Sequence, residues 1–351
     1  MAGSPSPLHH KTAVITGASA GVGRAAALRF AQAGVNLALI ARDANALNDV
    51  KREVESCGGS VMTIALDVAD PSAVLRASDT VVMSLGSIDV WINNAMVTVF
   101  SPVWRITPEE YHRVTEVTYL GTVHGTMAAL RHMRRANRGT IINVGSALAY
   151  RSIPLQAAYC GAKHAVRGFT DSLRSELMHA RRAVALTMIE LPAVNTPQFD
   201  WARTHMPDEP RPVPPVVQPE VIAEVIFRAA LRPRREYWIG FSTLKAILAN
   251  MILPGYLDRY LARNVFGQQE TRTPVSATRQ DNLMTPVSGL HRTRGRFSGE
   301  AAGSAVTLPG PSARLIPLIV ASAAGLAVGF FIGANGRARH AAGRGLPVLF
   351  R

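Results

Sequence analysis

From Lys11 to Leu191 the chain alternates short, unbroken apolar runs with stretches in which apolar residues recur at helical spacing. Thr12-Ala-Val-Ile15, Leu37-Ala-Leu-Ile-Ala41 and Ile141-Ile-Asn-Val144 are of the first kind, and Arg24-Ala-Ala-Ala-Leu-Arg-Phe-Ala31 is of the second. A strand that is apolar on both faces needs a cover on each side, and intervening helices provide it. The pattern therefore predicts an α/β fold built on a doubly wound parallel sheet.

After Leu191 the alternation breaks. Asn195-Thr-Pro-Gln-Phe-Asp-Trp201 leads into a proline-rich stretch from Pro207 to Pro219, and Phe241 to Leu261 then reads as a packed helix and its neighbour, divided at Pro254-Gly255. Residues 8–265 are expected to form the globular domain. Residues 268–311 are rich in Thr, Arg, Gly, Ser and Pro with few aromatics, a composition that buries too little apolar surface to offset ordering entropy, so a disordered linker is expected there. Leu315 to Ile332 is uncharged and mostly apolar, and eighteen helical residues cover about 27 Å, close to the hydrocarbon thickness of a bilayer. A C-terminal transmembrane helix is expected over 315–334, with a basic tail over 335–351.

Two short motifs carry chemistry. Thr16-Gly17-Ala-Ser19-Ala-Gly21-Val22-Gly23 joins a strand-like run to a helix start, the arrangement of a dinucleotide site, because glycines admit close backbone approach and a helix N-terminus meets the pyrophosphate. Tyr159 and Lys163 stand one helical turn apart, thirteen residues after Ser146, which follows a strand-like run. A cation near a phenol favours the phenolate and is expected to bring its pKa down from about 10 toward the working range.

On these motifs the chain resembles the short-chain dehydrogenase/reductase (SDR) family over roughly residues 8 to 265. The resemblance implies a Rossmann-like fold in which Asp67 and Val68 contact the adenine, Asn94 belongs to the sheet-stabilising Asn93-Asn94-Ala95, and Val194 and Thr196 contact the carboxamide. It also implies that Ser146 orients a carbonyl or alcohol, Tyr159 transfers the proton, and Lys163 holds the nicotinamide ribose. Thr118 stands where most members have an asparagine that carries a relay water, Met96 replaces a glycine, and Leu191-Pro192 alters a Pro-Gly turn. Phe199, Trp201 and Met206 fall in the variable substrate loop and are expected to line the substrate site.

The second strand ends in Ala41-Arg42, with no carboxylate at Ala41 to meet a ribose 2′-hydroxyl. Arg42 suits a 2′-phosphate, so NADP(H) is expected over NAD(H). The expected activity is an NADP-dependent interconversion of a carbonyl and a secondary alcohol, on a small and hydrophobic substrate. The rival is a membrane-tethered nucleotide-binding scaffold or redox sensor without turnover.

Charge adds a location. The net charge is +14, and residues 271–351 carry ten Arg or Lys against two Asp or Glu. Next to an apolar run, a basic tail fits phospholipid better than nucleic acid, and a membrane-associated enzyme with its domain facing the cytoplasm is expected. Cys57 and Cys160 form no disulfide framework, the ten histidines show no metal-ligand spacing, and a homo-oligomer is left open.

Overall fold

The computed structural model describes residues 6–310. Eight strands make the main sheet: β1 Thr12–Thr16, β2 Asn36–Ala41, β3 Val61–Ala65, β4 Val90–Asn93, β5 Gly139–Val144, β6 Val184–Glu190, β7 Glu236–Ile239 and β8 Thr307–Pro309. Their order is β8-β7-β6-β5-β4-β1-β2-β3. Strands β1 to β7 run parallel, and β8 adds antiparallel to β7. β1 pairs with β2 on one side and β4 on the other, so the chain reverses its direction of travel across the sheet there. The crevice beyond the C-terminal ends of such strands is where open α/β sheets bind ligands.

The longer helices are α1 Gly21–Ala31, α2 Ala44–Ser56, α3 Pro71–Leu85, α4 Pro108–Val114, α5 Gly121–Ala136, α6 Ala157–His179, α7 Pro219–Leu231, α8 Phe241–Ile252 and α9 Pro254–Asn264. Period-two alternation divides the strand side chains between two cores. Ile15, Leu37, Leu39 and Ile92 pack with Phe30 of α1 and Phe227 of α7, while Val14, Ile40, Trp91 and Ile141 pack with Val81 of α3 and Met133 of α5. Local chemistry fixes several helix starts. Asp43 and Asp70 accept backbone N–H groups from the first turns of α2 and α3, and Thr107 with Glu110 forms a reciprocal cap on α4.

The polar stretch expected to be a disordered linker departs from that reading. Within 268–310, Glu270–Pro274 pairs with Asp208–Pro210, Ala301–Ala302 pairs with Val216–Val217, and β8 extends the sheet. Leu283 is fully buried in the second core. Composition misled because the segment folds on a surface made by the rest of the chain, so its own apolar content need not form a core. Among the described residues no helix is long and apolar enough to cross a membrane. The expected span over 315–334 and the basic tail lie outside the described residues.

Candidate active site

The glycine loop leaves β1 and enters α1 under tight steric constraint. Gly17 has φ of +66°, and a Cβ there would lie 2.8 Å from Ala95 Cα; a Cβ on Gly23 would lie 2.2 Å from the Gly17 carbonyl oxygen. Asn94 fastens the loop to the end of β4. Its side-chain amide donates to the carbonyls of Thr16 (3.1 Å) and Gly17 (3.2 Å), and the Thr16 hydroxyl accepts from the backbone N–H of Asn94 and Ala95. Beneath, Asn93 accepts from Trp91 Nε1 and donates to Thr126 and Asn143, and Asn143 donates to Thr170. This buried, mutually satisfied ladder ties β4, β5, α5 and α6 together directly under the crevice.

One cavity of about 410 Å³ runs along the strand ends. It gathers Gly17, Ser19, Gly21 and Val22 of the loop, Arg42, Asp67 and Val68 at one end, Asn94 in the middle, and Ser146, Tyr159, Lys163, Val194 and Thr196 at the other. Phe199 and Trp201 also line it. Thr16 and Gly23 do not; they shape the loop from behind. Met206 is buried beside Phe100, Leu155 and Ala202 rather than in the cavity, which corrects its expected place among the lining residues.

Thr118 is also corrected. It lies in a π-helical stretch, Thr115–Leu120, between α4 and α5, with no exposed surface. Its hydroxyl donates to the Val97 carbonyl at 2.9 Å and accepts from the Val97 N–H at 3.1 Å. The single proton is spent on backbone, and the side chain does not reach the cavity, so no relay water is held by Thr118 as a donor.

Ser146 follows β5, and Tyr159 and Lys163 occupy successive turns of α6. The Ser146 hydroxyl accepts from the Leu148 N–H at 3.1 Å, and Lys163 Nζ donates to the Val144 carbonyl at 2.7 Å and lies 5.6 Å from the centre of the Tyr159 ring. Burial pushes the Lys163 ammonium down to about 8, opposed by Glu190. Tyr159 moves opposite to the expected direction. Burial raises it above its ordinary 10, the Ser146 side chain only partly offsets this, and the phenol holds its proton at neutral pH.

Sequence reasoning passed over three groups. Glu190, at the end of β6 with no exposed surface, accepts the Ser146 backbone N–H at 2.8 Å and has its carboxyl pushed up, first by burial and then by the charge of nearby Glu236. Asn195 is fully buried and clamps residues 295–298: it donates to Ser298 and accepts from the N–H of Phe297, while its backbone carbonyl accepts from Gly295.

The third is the stretch 281–298, which forms the outer wall of the cavity through Asn282, Pro286, Val287 and His291. Arg42 donates to the carbonyls of Asn282 (2.5 Å), Leu283 (3.3 Å) and Met284 (3.0 Å). Arg24 donates to the His291 carbonyl at 2.8 Å, and the Gly21 N–H, a first-turn donor of α1, is taken by the Arg292 carbonyl at 3.0 Å. The isolated apolar residues Leu283 and Val287 within a polar run were the available signal.

Residues 11–206, more than half of the chain, match the family described as short chain dehydrogenase. The uncharacterized oxidoreductase YxnA of Bacillus subtilis is 30% identical over 286 residues, covering 81% of this chain and 80% of its own. Among solved structures, a metagenomic short-chain oxidoreductase in complex with NADP superimposes with a TM-score of 0.57 at 27% identity, over 66% of this chain and 96% of its own. An NAD+-bound xylitol dehydrogenase gives 0.52 at 29% identity, over 54% and 72%. With the fold, the glycine loop and the crevice agreeing, the chain belongs to the short-chain dehydrogenase family and is an NAD(P)-dependent oxidoreductase.

Proposed function

We propose that the protein reduces the carbonyl of a hydrophobic substrate to a secondary alcohol, and catalyses the reverse, with NADP(H) as its preferred cofactor. The observation that carries this reading is that Ser146, Tyr159 and Lys163 line the same cavity as Gly17, Gly21 and Val22. The glycines fit a dinucleotide, since the loop is closed to a Cβ at Gly17 and Gly23 and offers backbone where a pyrophosphate needs close approach. Bound nicotinamide supplies or accepts the hydride. In this reading Lys163 holds the ribose, Ser146 orients the substrate oxygen, and Tyr159 exchanges its proton. The protonated phenol can donate toward a carbonyl oxygen in reduction and take the proton back in the reverse direction.

Preference for NADP(H) rests on Arg42. Of its five N–H donors, the three carbonyls of 282–284 take three, all on the two terminal nitrogens. Nε takes part in none of these bonds, so a donor remains on the guanidinium for a 2′-phosphate oxygen. Preference for a hydrophobic substrate rests on Phe199, Trp201, Phe100 and Val213 in the cavity wall. Membrane attachment with the domain on the cytoplasmic side is proposed on Leu315 to Ile332 alone.

The test is a panel of ketones and aldehydes offered to the full chain with NADPH. Turnover should favour apolar ketones over sugars, and Tyr159→Phe should cut the rate by roughly 10²–10⁴-fold while NADPH binding persists. Binding without turnover across the panel, or equal turnover by Tyr159→Phe, overturns the reading.

A further inference from the structure

Helix α9 buries none of its residues, and α8 buries only Thr243 and Ile247. Helices in folded proteins draw most of their stability from an apolar face packed on something else, and here that face looks outward. Phe241, Met251, Ile252, Leu253 and Tyr256 are each more than half exposed, and Tyr260 stacks on Tyr256 at 6.4 Å between ring centres. Scattered exposed apolar residues are ordinary, but this concentration on one helical hairpin marks a contact surface.

Two further observations say what it contacts. Lys245, Arg259 and Arg263 are exposed on the same two helices, whereas the hairpin's acidic residue, Asp258, is tied to Arg151 at 2.5 Å. An apolar surface rimmed by tyrosines and unbalanced positive charge suits the boundary between acyl chains and anionic headgroups, and it opposes a second copy of itself through like-charge repulsion. In addition, Ser242, Thr243 and Ala246 of α8 line the active-site cavity, so one helix borders the cavity and the outward apolar surface together.

We propose that the α8–α9 hairpin docks on an anionic lipid bilayer, placing the cavity mouth at the membrane so that an apolar substrate enters from lipid. The substrate route rests on the carbonyl-reductase reading; the docking does not. An environment-sensitive dye at Ile252→Cys in a Cys57→Ser background, on the full chain, tests it with vesicles of phosphatidylcholine alone and of phosphatidylcholine with phosphatidylserine. A dye at the exposed Met83→Cys position on α3 is the control.

Vesicles containing phosphatidylserine should blue-shift the dye at 252 and shield it from an aqueous quencher, while the dye at 83 stays quenchable. Combined Lys245→Glu, Arg259→Glu and Arg263→Glu should weaken the lipid-dependent shielding of the dye at 252 at least about tenfold, since each basic residue near such a surface contributes on the order of 1 kcal/mol. Reduction of a water-soluble ketone should be unchanged in that variant, which separates failure of docking from failure of the enzymatic reading. If the chain floats with vesicles while residue 252 stays quenchable, the hairpin is not the docking element. A lipid-independent shift that grows with protein concentration would assign the surface to a second copy, and absence of binding to either vesicle would also overturn the proposal.

Discussion

The glycine loop and the segment 281–298 enclose the same cavity from opposite sides, and they hold their places by opposite means. The loop carries a constraint within its own few residues, since a Cβ on Gly23 would meet the Gly17 carbonyl six residues earlier, and Asn94 and Ala95 fasten it from outside. The segment is held almost entirely by distant residues. Arg24, Arg42 and Arg113 reach its carbonyls across separations of 267, 242 and 170 residues. Local geometry writes itself into a short motif, whereas a surface assembled from three arginines on different elements leaves no such trace.

The largest effect that would break this comparison is at Leu283. Leu283→Ala removes a fully buried anchor and should cost about 2–5 kcal/mol, read as a fall in denaturation midpoint with faster amide exchange through 281–298 and faster NADPH release. An unchanged midpoint and exchange pattern would return the segment to the status of a linker. Next comes Arg42, which lines the cavity and also pins the segment. Arg42→Ala should weaken NADPH by roughly tenfold to 100-fold, the worth of charge-assisted bonds of about 1.5–3 kcal/mol, and NADH much less; equal losses would mean that it only pins the segment.

On the opposite wall, Gly23→Ala places a methyl against the Gly17 carbonyl. It should raise the dissociation constant for both cofactors about tenfold, from a strain of about 1–3 kcal/mol, without faster exchange in 281–298. The effect that is smallest for a single unit of pH is a slope at Glu190. Its carboxyl keeps its proton in the folded state up to about pH 8 while an unfolded chain loses it near 4.5, so its contribution is fully present below 4.5 and is lost as pH rises toward 8. Glu190→Gln lacks that loss, and its denaturation midpoint should gain on the wild type between pH 5 and pH 8, by at most about 1.4 kcal/mol per pH unit. Parallel profiles would place the titration elsewhere.

Much of the fold and part of the site could be read from residues close in sequence. The strand runs gave the parallel sheet because apolar continuity reports burial on both faces. Ser146, Tyr159 and Lys163 were found by spacing and do share a cavity. Thr118 and Met206 were placed by position in a motif, and position does not say where a side chain points: one turned to Val97, the other into a pocket with Phe100. The direction of the Tyr159 shift was missed because a neighbouring charge is visible in sequence and desolvation is not. Glu190 and Asn195 stood in plain view beside Leu191 and Val194, but what makes them matter is a Ser146 N–H and a segment about a hundred residues later.

The Gly21 N–H that ends on the Arg292 carbonyl has a consequence for the order in which the protein is made. A ribosome that has finished all seven parallel strands has released every residue of the glycine loop and of the Ser146, Tyr159 and Lys163 trio, yet the pocket still lacks one side until about fifty more residues emerge. A chain cut short at 268 would keep the chemistry and lose the enclosure, so competence to retain a nucleotide arrives late in synthesis, after the sheet that carries it.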